Sequence, residues 1–439
     1  MTGRWPRSVV AGLLLATWLS PAVLLGQVDP AVFAPFEDRP VTAVRLEGDR
    51  VTREYVITRE LETKGGEPFR ISVLEADLQR LENLGLFAET KAWPEADGQG
   101  VRLTLKFREM PAVMPFPSFL YTEENGFSYG AALSAMNLTG RGISLSARAY
   151  FGGTRQRWAK LSYPWIKGNH LSADFFGGER ERADTLNGFD EDSWEFTPGI
   201  GTWWGRSGRL RAFASLFRMQ SDVAGKTLEA DNEDLFGRVG ASLGYDTRDS
   251  WRAPRRGWRS ELELIGTWGS GSFWTMNLDL RRYQPTWRRQ HVLLSGLATL
   301  QTGTVGQDVP VYLTYYLGGA NTIRGYDLEV LGPTLHGKNQ LLTTAEYNFK
   351  LLDLARRDVF NWSFSVGLEL ALFADAGIAW NEGEEFAFRR FRGGLGAGLR
   401  LLVPGAEQVR LDVGWSPQGG FQFHFGSGTK PAAQRQRLR

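Results

Sequence analysis

Three ionisable residues in the second half of the chain are placed to do charge chemistry. Arg324 lies in the glycine-rich run Gly318-Gly319-Ala320-Asn321-Thr322-Ile323-Arg324-Gly325-Tyr326, and Glu346 and Asp375 follow on segments that alternate apolar and polar residues. A guanidinium presents its donors in a rigid fork and can bond two carboxylates at once, whereas two carboxylates held close without a cation are costly. The chemistry expected of such a set is a non-covalent latch that holds a loop against a wall. A glycine-rich surface turn, with two acids that merely line a wet channel, is the plainer alternative. Bond-making chemistry is poorly provided for. The cysteine count is 0, and the four histidines (His170, His291, His336 and His424) are not paired at ligand spacing. That excludes disulfides, thiolate metal sites and cysteine nucleophiles. No Gly-x-Ser-x-Gly or comparable Ser/His/Asp set is present, so no enzyme activity, metal or cofactor is expected. With 51 Lys+Arg against 49 Asp+Glu, the net charge of +2 offers no electrostatic case for nucleic acid.

For Glu346 and Asp375 to meet one guanidinium they must share a face, and the surrounding residues define it. In 366–380, Val366, Leu368, Leu370, Leu372 and Ala374 have one parity, while Gly367, Glu369, Asp375 and Gly377 have the other. In 409–416, Val409, Leu411, Val413 and Trp415 oppose Arg410 and Asp412, and in 421–425 three phenylalanines oppose Gln422 and His424. This period-two text runs from about residue 113 to the end. Apolar on one side and charged on the other is the pattern of a transmembrane β-barrel with a polar lumen. A soluble sandwich or propeller also alternates, but its packed interior would rarely hold Glu369, Asp375, Arg400, Arg410 and Asp412. Strand starts are expected near 113, 127, 144, 155, 170, 192, 209, 236, 259, 272, 291, 340, 366, 392, 408 and 420, about 16 antiparallel strands. The interval 304–339 fits no strand, and a barrel of this width leaves room for such a loop to fold inward.

The residues before the barrel read differently. Arg4 and Arg7 precede an apolar run that ends near small residues, as in a secretion signal (1–26), with a linker expected over 27–40. Residues 41–111 read as β-α-α-β-β: a strand over Val41–Leu46, a helix capped by Thr52 and running through Leu61, a helix over Ser72–Asn83, and strands near 88–94 and 101–108. Pattern alone leaves a generic α+β domain open. The barrel is expected over 112–428 and a polar basic tail over 429–439.

The motifs then carry a resemblance. Ile323-Arg324-Gly325-Tyr326 resembles the Val-Arg-Gly-Phe/Tyr loop motif of the BamA/TamA-like outer-membrane protein assembly and translocation superfamily, the bacterial surface antigen family. Glu346 is similar to that family's lumenal acid, and Phe373-Ala374-Asp375-Ala376-Gly377 to its Phe-x-Asp-x-Gly strand. Tyr245-Asp246-Thr247-Arg248-Asp249-Ser250, with Pro254 and Gly257, resembles a mid-barrel turn, and Asn137-Leu138-Thr139-Gly140-Arg141-Gly142 an early one. Gly48, Leu84-Gly85-Leu86-Phe87 and Glu109 resemble a polypeptide-transport-associated (POTRA) domain. The chain departs from the larger members in having one evident POTRA domain and a polar tail after its last aromatic strand.

The resemblance implies an outer-membrane barrel with its POTRA domain in the periplasm, handling unfolded or extended client polypeptides among outer-membrane lipids, with possible periplasmic or lipoprotein partners. It further implies a lumenal latch of Ile323, Arg324, Gly325, Tyr326, Glu346 and Asp375, supported by Gly318, Gly319 and Gly377. A lateral seam is expected where the first strand, weakened by Pro115 and Pro117, meets the last, with Phe421, Phe423 and Phe425 outward and Gly426 at its end. A porin-like channel or structural barrel with a periplasmic docking domain is the alternative.

Overall fold

The computed structural model describes residues 28–427 except 49–50, 123, 168–170, 252–253, 288, 329–334, 354–356, 360–361, 365–366, 385–387 and 403–408. The signal expected at 1–26, the tail at 429–439, His170 and Val366 lie outside the described residues.

The small domain is a three-stranded sheet packed by two helices. Gly100–Glu109 is the central strand, parallel to Val41–Glu47 and antiparallel to Phe87–Asp97. The longer helix, Ile71–Asn83, buries Leu74, Leu78 and Leu81, which fall on one face at helical spacing. It stops where Gly85 adopts a positive φ of 70°, a conformation open to glycine without steric penalty. Two expectations are corrected here. The shorter helix spans only Glu54–Thr58 and has no side-chain cap. Thr52 instead accepts a hydrogen bond from Asn137 of the barrel, so tertiary contact has taken the capping group. Nor are residues 28–40 a linker. Pro30–Phe33 is a helical turn, and Val28 and Phe33 are buried in the domain core, Phe33 stacking on Phe69 at 6.0 Å. An apolar side chain that can reach a core is rarely left in water, and this segment carries two.

Between residues 113 and 427 lies a 16-stranded sheet in which each strand pairs antiparallel with the next strand of that sheet along the chain. Each observed strand begins within three residues of its expected start. Burial alternates along the strands, as in Phe189–Trp204 and Gly367–Trp380, so the apolar residues of one parity face lipid and the polar residues line the lumen. Aromatics ring both ends of the lipid face: Trp204, Trp258 and Trp287 at the end shared with the small domain, and Phe127, Trp268 and Trp274 at the other. No helix among the described residues is long and apolar enough to cross a membrane. The sheet crosses instead.

Two connections hold structure that periodicity did not indicate. The long loop after Gln301 contains a helical turn at Val311–Leu313 and a short ladder between Tyr315–Tyr316 and His336–Gly337, and it folds into the lumen. The turn after Asp353 carries a small hairpin, Arg357–Val359 with Trp362–Phe364. Only Met110, Pro111 and Ala112 separate the two domains. Met110 donates to Leu86 of the small domain (2.8 Å), and Ala112 accepts from Met136 of the barrel (2.8 Å).

Candidate functional site: a lumenal charge cluster, a seam and a domain seat

The loop over 318–326 is shaped by its glycines. Gly325 has φ 107°, and a side-chain carbon there would meet the Trp415 carbonyl oxygen at 2.7 Å, so the loop lies flat on the wall only with glycine at that position. Gly319 donates to the Tyr326 carbonyl (2.8 Å), and Thr322 Oγ1 accepts from Gly318 N (2.7 Å), which closes the turn. Ile323 is fully buried with Leu297, Leu317, Leu335 and Leu342, and Gly377 leaves the space its side chain fills. Packed this way, the loop directs Arg324 to the wall.

Arg324 is 0% exposed. Its Nε is 2.8 Å from Asp375 Oδ2 and its Nη2 3.0 Å from Oδ1, a bidentate pair. Its Nη1 reaches Glu346 Oε2 at 3.0 Å and Asp412 Oδ2 at 3.3 Å, and its guanidinium lies 3.3 Å from the Phe373 ring centre. The structure thus brings together all three ionisable residues singled out in the sequence. It also adds three. Arg400 bridges Glu346 (2.8 Å) and Asp412 (2.5 Å), while Arg410 stands 3.6 Å from Asp412 and donates to the Asn321 side chain at 2.7 Å. Three arginines therefore face three carboxylates in a buried cluster, with donors and acceptors interleaved. Asp412, Arg400 and Arg410 had the right parity in the sequence, but nothing in their spacing tied them to the loop.

The loop also reaches the last two strands. Ser416 Oγ donates to the Gly325 carbonyl (2.6 Å), Gly325 N lies 3.5 Å from His424 Nε2, and the Tyr326 hydroxyl bonds Gln418. Beyond the last strand, Gly420–Ser427, the ladder ends: among the described residues no register pairs it with the first strand, Val113–Thr122. The contact between these edges includes Tyr121 against Phe425, ring centres 5.9 Å apart. Phe421 and Phe423 point outward, Phe423 82% exposed. Pro115 and Pro117 lie opposite Leu133 and Ala131 of the second strand, and Gly426 is buried opposite Arg410.

A third contact set seats the small domain on the barrel. Arg53 N donates to the Gly140 carbonyl (2.9 Å), where a side-chain carbon would lie 1.9 Å from the Val51 oxygen. Within the small domain the Glu109 carboxylate accepts from Thr52 N at 2.7 Å, which fixes the segment that meets the barrel, and across the joint Arg206 pairs with Glu62 at 2.7 Å. The Asn83 side chain donates to the Asp249 carbonyl and accepts from Trp251 N, both at 3.3 Å. Arg59 lies 3.8 Å over the Trp165 ring. Burial pushes the Arg59 guanidinium down to about 10 and raises the adjoining Glu60 carboxyl, against the opposing pull of their mutual pairing. The motif residues Asn137 and Gly140 thus lie at the joint between the domains, and Glu109 holds the small-domain segment that meets them.

Comparison with known proteins agrees with this architecture. The Omp85 superfamily domain matches residues 137–430, and the POTRA domain, described as a surface antigen variable number repeat, matches residues 40–110. The chain is 26% identical over 410 residues to the outer membrane protein assembly factor BamA of Nitratidesulfovibrio vulgaris, covering 88% of this chain and 48% of that protein. Against BamA of Neisseria meningitidis identity is 24% over 392 residues, covering 78% and 46%. The chain therefore spans about half the length of these curated relatives. Its fold is similar to BamA from Haemophilus ducreyi lacking POTRA domains 1–3 (TM-score 0.57, 14% identity, 89% of this chain and 83% of that one). It is also similar to CdiB from Acinetobacter baumannii (TM-score 0.54, 13% identity, 88% and 73%). The chain belongs to the Omp85 superfamily, as an outer-membrane β-barrel of 16 strands with one POTRA domain on its periplasmic side.

Proposed function

We propose that this protein inserts or translocates client polypeptides at the outer membrane without covalent chemistry, through a barrel that opens at the junction of its first and last strands. The observation that carries this reading is the end of the ladder at that junction, set beside an inward loop bonded to both strands of the final hairpin. A barrel closed by a full ladder must break many backbone bonds to open sideways; one whose edges meet largely through side chains does not. The loop, latched through Arg324 to Asp375 and Glu346, holds the final hairpin in place while the junction is shut. An extended client is recruited at the sheet edge formed by Phe87–Asp97, where main-chain bonding tolerates many sequences. The likeness to proteins named as outer-membrane assembly factors supports the same reading.

The chain has no native thiol, so the test is clean. Cysteines at Tyr121 and Phe425, oxidised to join the edges, are expected to abolish assembly or secretion of clients, and reduction to restore it. Full activity with the edges joined would refute the opening and leave a channel with a docking domain.

A further inference from the structure

Charge is nearly balanced over the whole chain but not along its periplasmic rim. Among the described residues, the stretches 247–259 and 281–289 carry seven arginines and one acid, Asp249; three of the seven pair with acids just beyond them, Arg248 with Asp246 (2.7 Å), Arg259 with Glu261 (3.7 Å) and Arg281 with Asp279 (2.6 Å). The two stretches are neighbours in space: the strands Gly257–Gly269 and Phe273–Pro285 pair, with Trp258 opposite Arg282. The Asp249 Oδ1 is taken up by backbone amides of Ser250 (2.9 Å), Arg255 (2.9 Å) and Arg256 (3.2 Å). Arg256 and, in the next periplasmic turn, Arg289 are exposed. Arg282 stacks over Trp258 on the outward wall, its guanidinium 5.1 Å from the ring centre. Trp251, Trp258 and Trp287 stand exposed around these cations, Trp287 at 63%.

We infer that this rim is a binding site for the headgroup of an anionic glycerophospholipid of the periplasmic leaflet. Tryptophan prefers the depth between headgroup and acyl chain, so the three rings mark where the boundary of the bilayer meets the barrel. Arginines at that depth face phosphate, which a guanidinium bonds in bidentate fashion, and a cluster of several selects lipids with net negative charge over zwitterionic ones. The rings also set the occupant: a soluble acidic polypeptide would leave them unused. The site adjoins the seat of the POTRA domain, since Asp249 and Trp251 are the residues that bond Asn83. Lipid composition is thereby coupled to how firmly the domain is held. This inference stands independently of client handling.

The test uses the full-length protein in nanodiscs of phosphatidylcholine with and without phosphatidylglycerol, with retained lipids counted by native mass spectrometry. The wild type is expected to retain phosphatidylglycerol selectively, and the preference to collapse as salt is raised. The triple variant Arg256→Gln, Arg282→Gln, Arg289→Gln should lose it by roughly a hundredfold, about fivefold per arginine. The triple lysine variant should keep most of it. A matched pair, Arg155→Gln and Arg157→Gln, at the opposite end of the barrel should leave it unchanged. No preference in the wild type, a preference insensitive to salt, or one that survives the triple glutamine change overturns the inference. So does displacement of the lipid by a soluble polyglutamate as effective as that by phosphatidylglycerol vesicles. If the triple variant fails to fold, as judged by loss of heat-modifiable migration, the salt response of the wild type decides.

Discussion

Replacing Arg324 with alanine removes one cation of three from a cluster that also holds three carboxylates. Asp375 loses both of its guanidinium bonds, at 2.8 and 3.0 Å, while Glu346 and Asp412 keep Arg400. The site is closed to water, with the arginine 0% and the Asp375 side chain 1% exposed, so the carboxylate, left with the Thr344 hydroxyl and the backbone amide of residue 324 but no guanidinium, is not rescued by solvent. Removing one partner of such a buried pair costs about 3–5 kcal/mol, most of it the penalty of the charge left behind. The control is Arg390→Ala. That guanidinium pairs with Glu384 at 2.5 Å on the surface, both about a third exposed, where ion pairs contribute at most ~1 kcal/mol. Urea unfolding of the refolded barrel in liposomes, followed by tryptophan fluorescence and heat-modifiable migration, measures the difference. Arg324→Ala is expected to lower stability by at least ~2 kcal/mol more than Arg390→Ala, with Arg324→Lys between them because a point charge cannot reproduce the fork. Equal effects of the two alanine changes would refute the reading of the cluster as a latch.

Three further outcomes are expected. Residues 28–111, expressed alone, should fold as a soluble α+β unit with a cooperative melt, whereas 41–111, lacking Val28 and Phe33, should melt lower; circular dichroism checks both. Gly140→Ala should loosen the POTRA seat, because its side-chain carbon would strike the Val51 oxygen, and amide exchange over 51–53 should rise. The Glu60 carboxyl is raised above its ordinary 4.5 by burial, so its contribution to stability is full below that value and lost as pH rises through the raised one. Glu60→Gln should accordingly slow amide exchange over Glu54–Leu61 relative to wild type at pH 7, and the difference should shrink as pH falls towards 4. A difference independent of pH would count against the burial cause.

The strands were legible because a sheet with lipid on one face and water on the other imposes period two on every residue. Parity alone put Glu346 and Asp375 on the same side as Arg400, Arg410 and Asp412. What parity cannot give is partnership between a loop and a wall. Asp412 and Arg410 reach Arg324 and Asn321 across 88 and 89 positions of sequence, and only folding selects those pairs. The loop's own contribution was visible in Gly318, Gly319 and Gly325, which mark a backbone that must turn sharply or lie close. Thr52 was misread for a related reason: a good cap by local chemistry was claimed by Asn137 from another domain. The segment before Val41 was misread because the residues it buries, Val28 and Phe33, lie in a proline-containing stretch with no period to announce a core.

The three residues between the domains have a mechanical consequence. Met110 is bonded to the small domain and Ala112 to the second barrel strand, so the connection has almost no slack and spans at most about 10 Å. The central strand of the POTRA sheet therefore runs almost directly into the first strand of the barrel. A pull on that sheet meets no slack before the first barrel strand and is shared only with the contacts that seat the domain on the barrel. The strand so joined to the small domain is the one whose far edge, among the described residues, has no ladder partner.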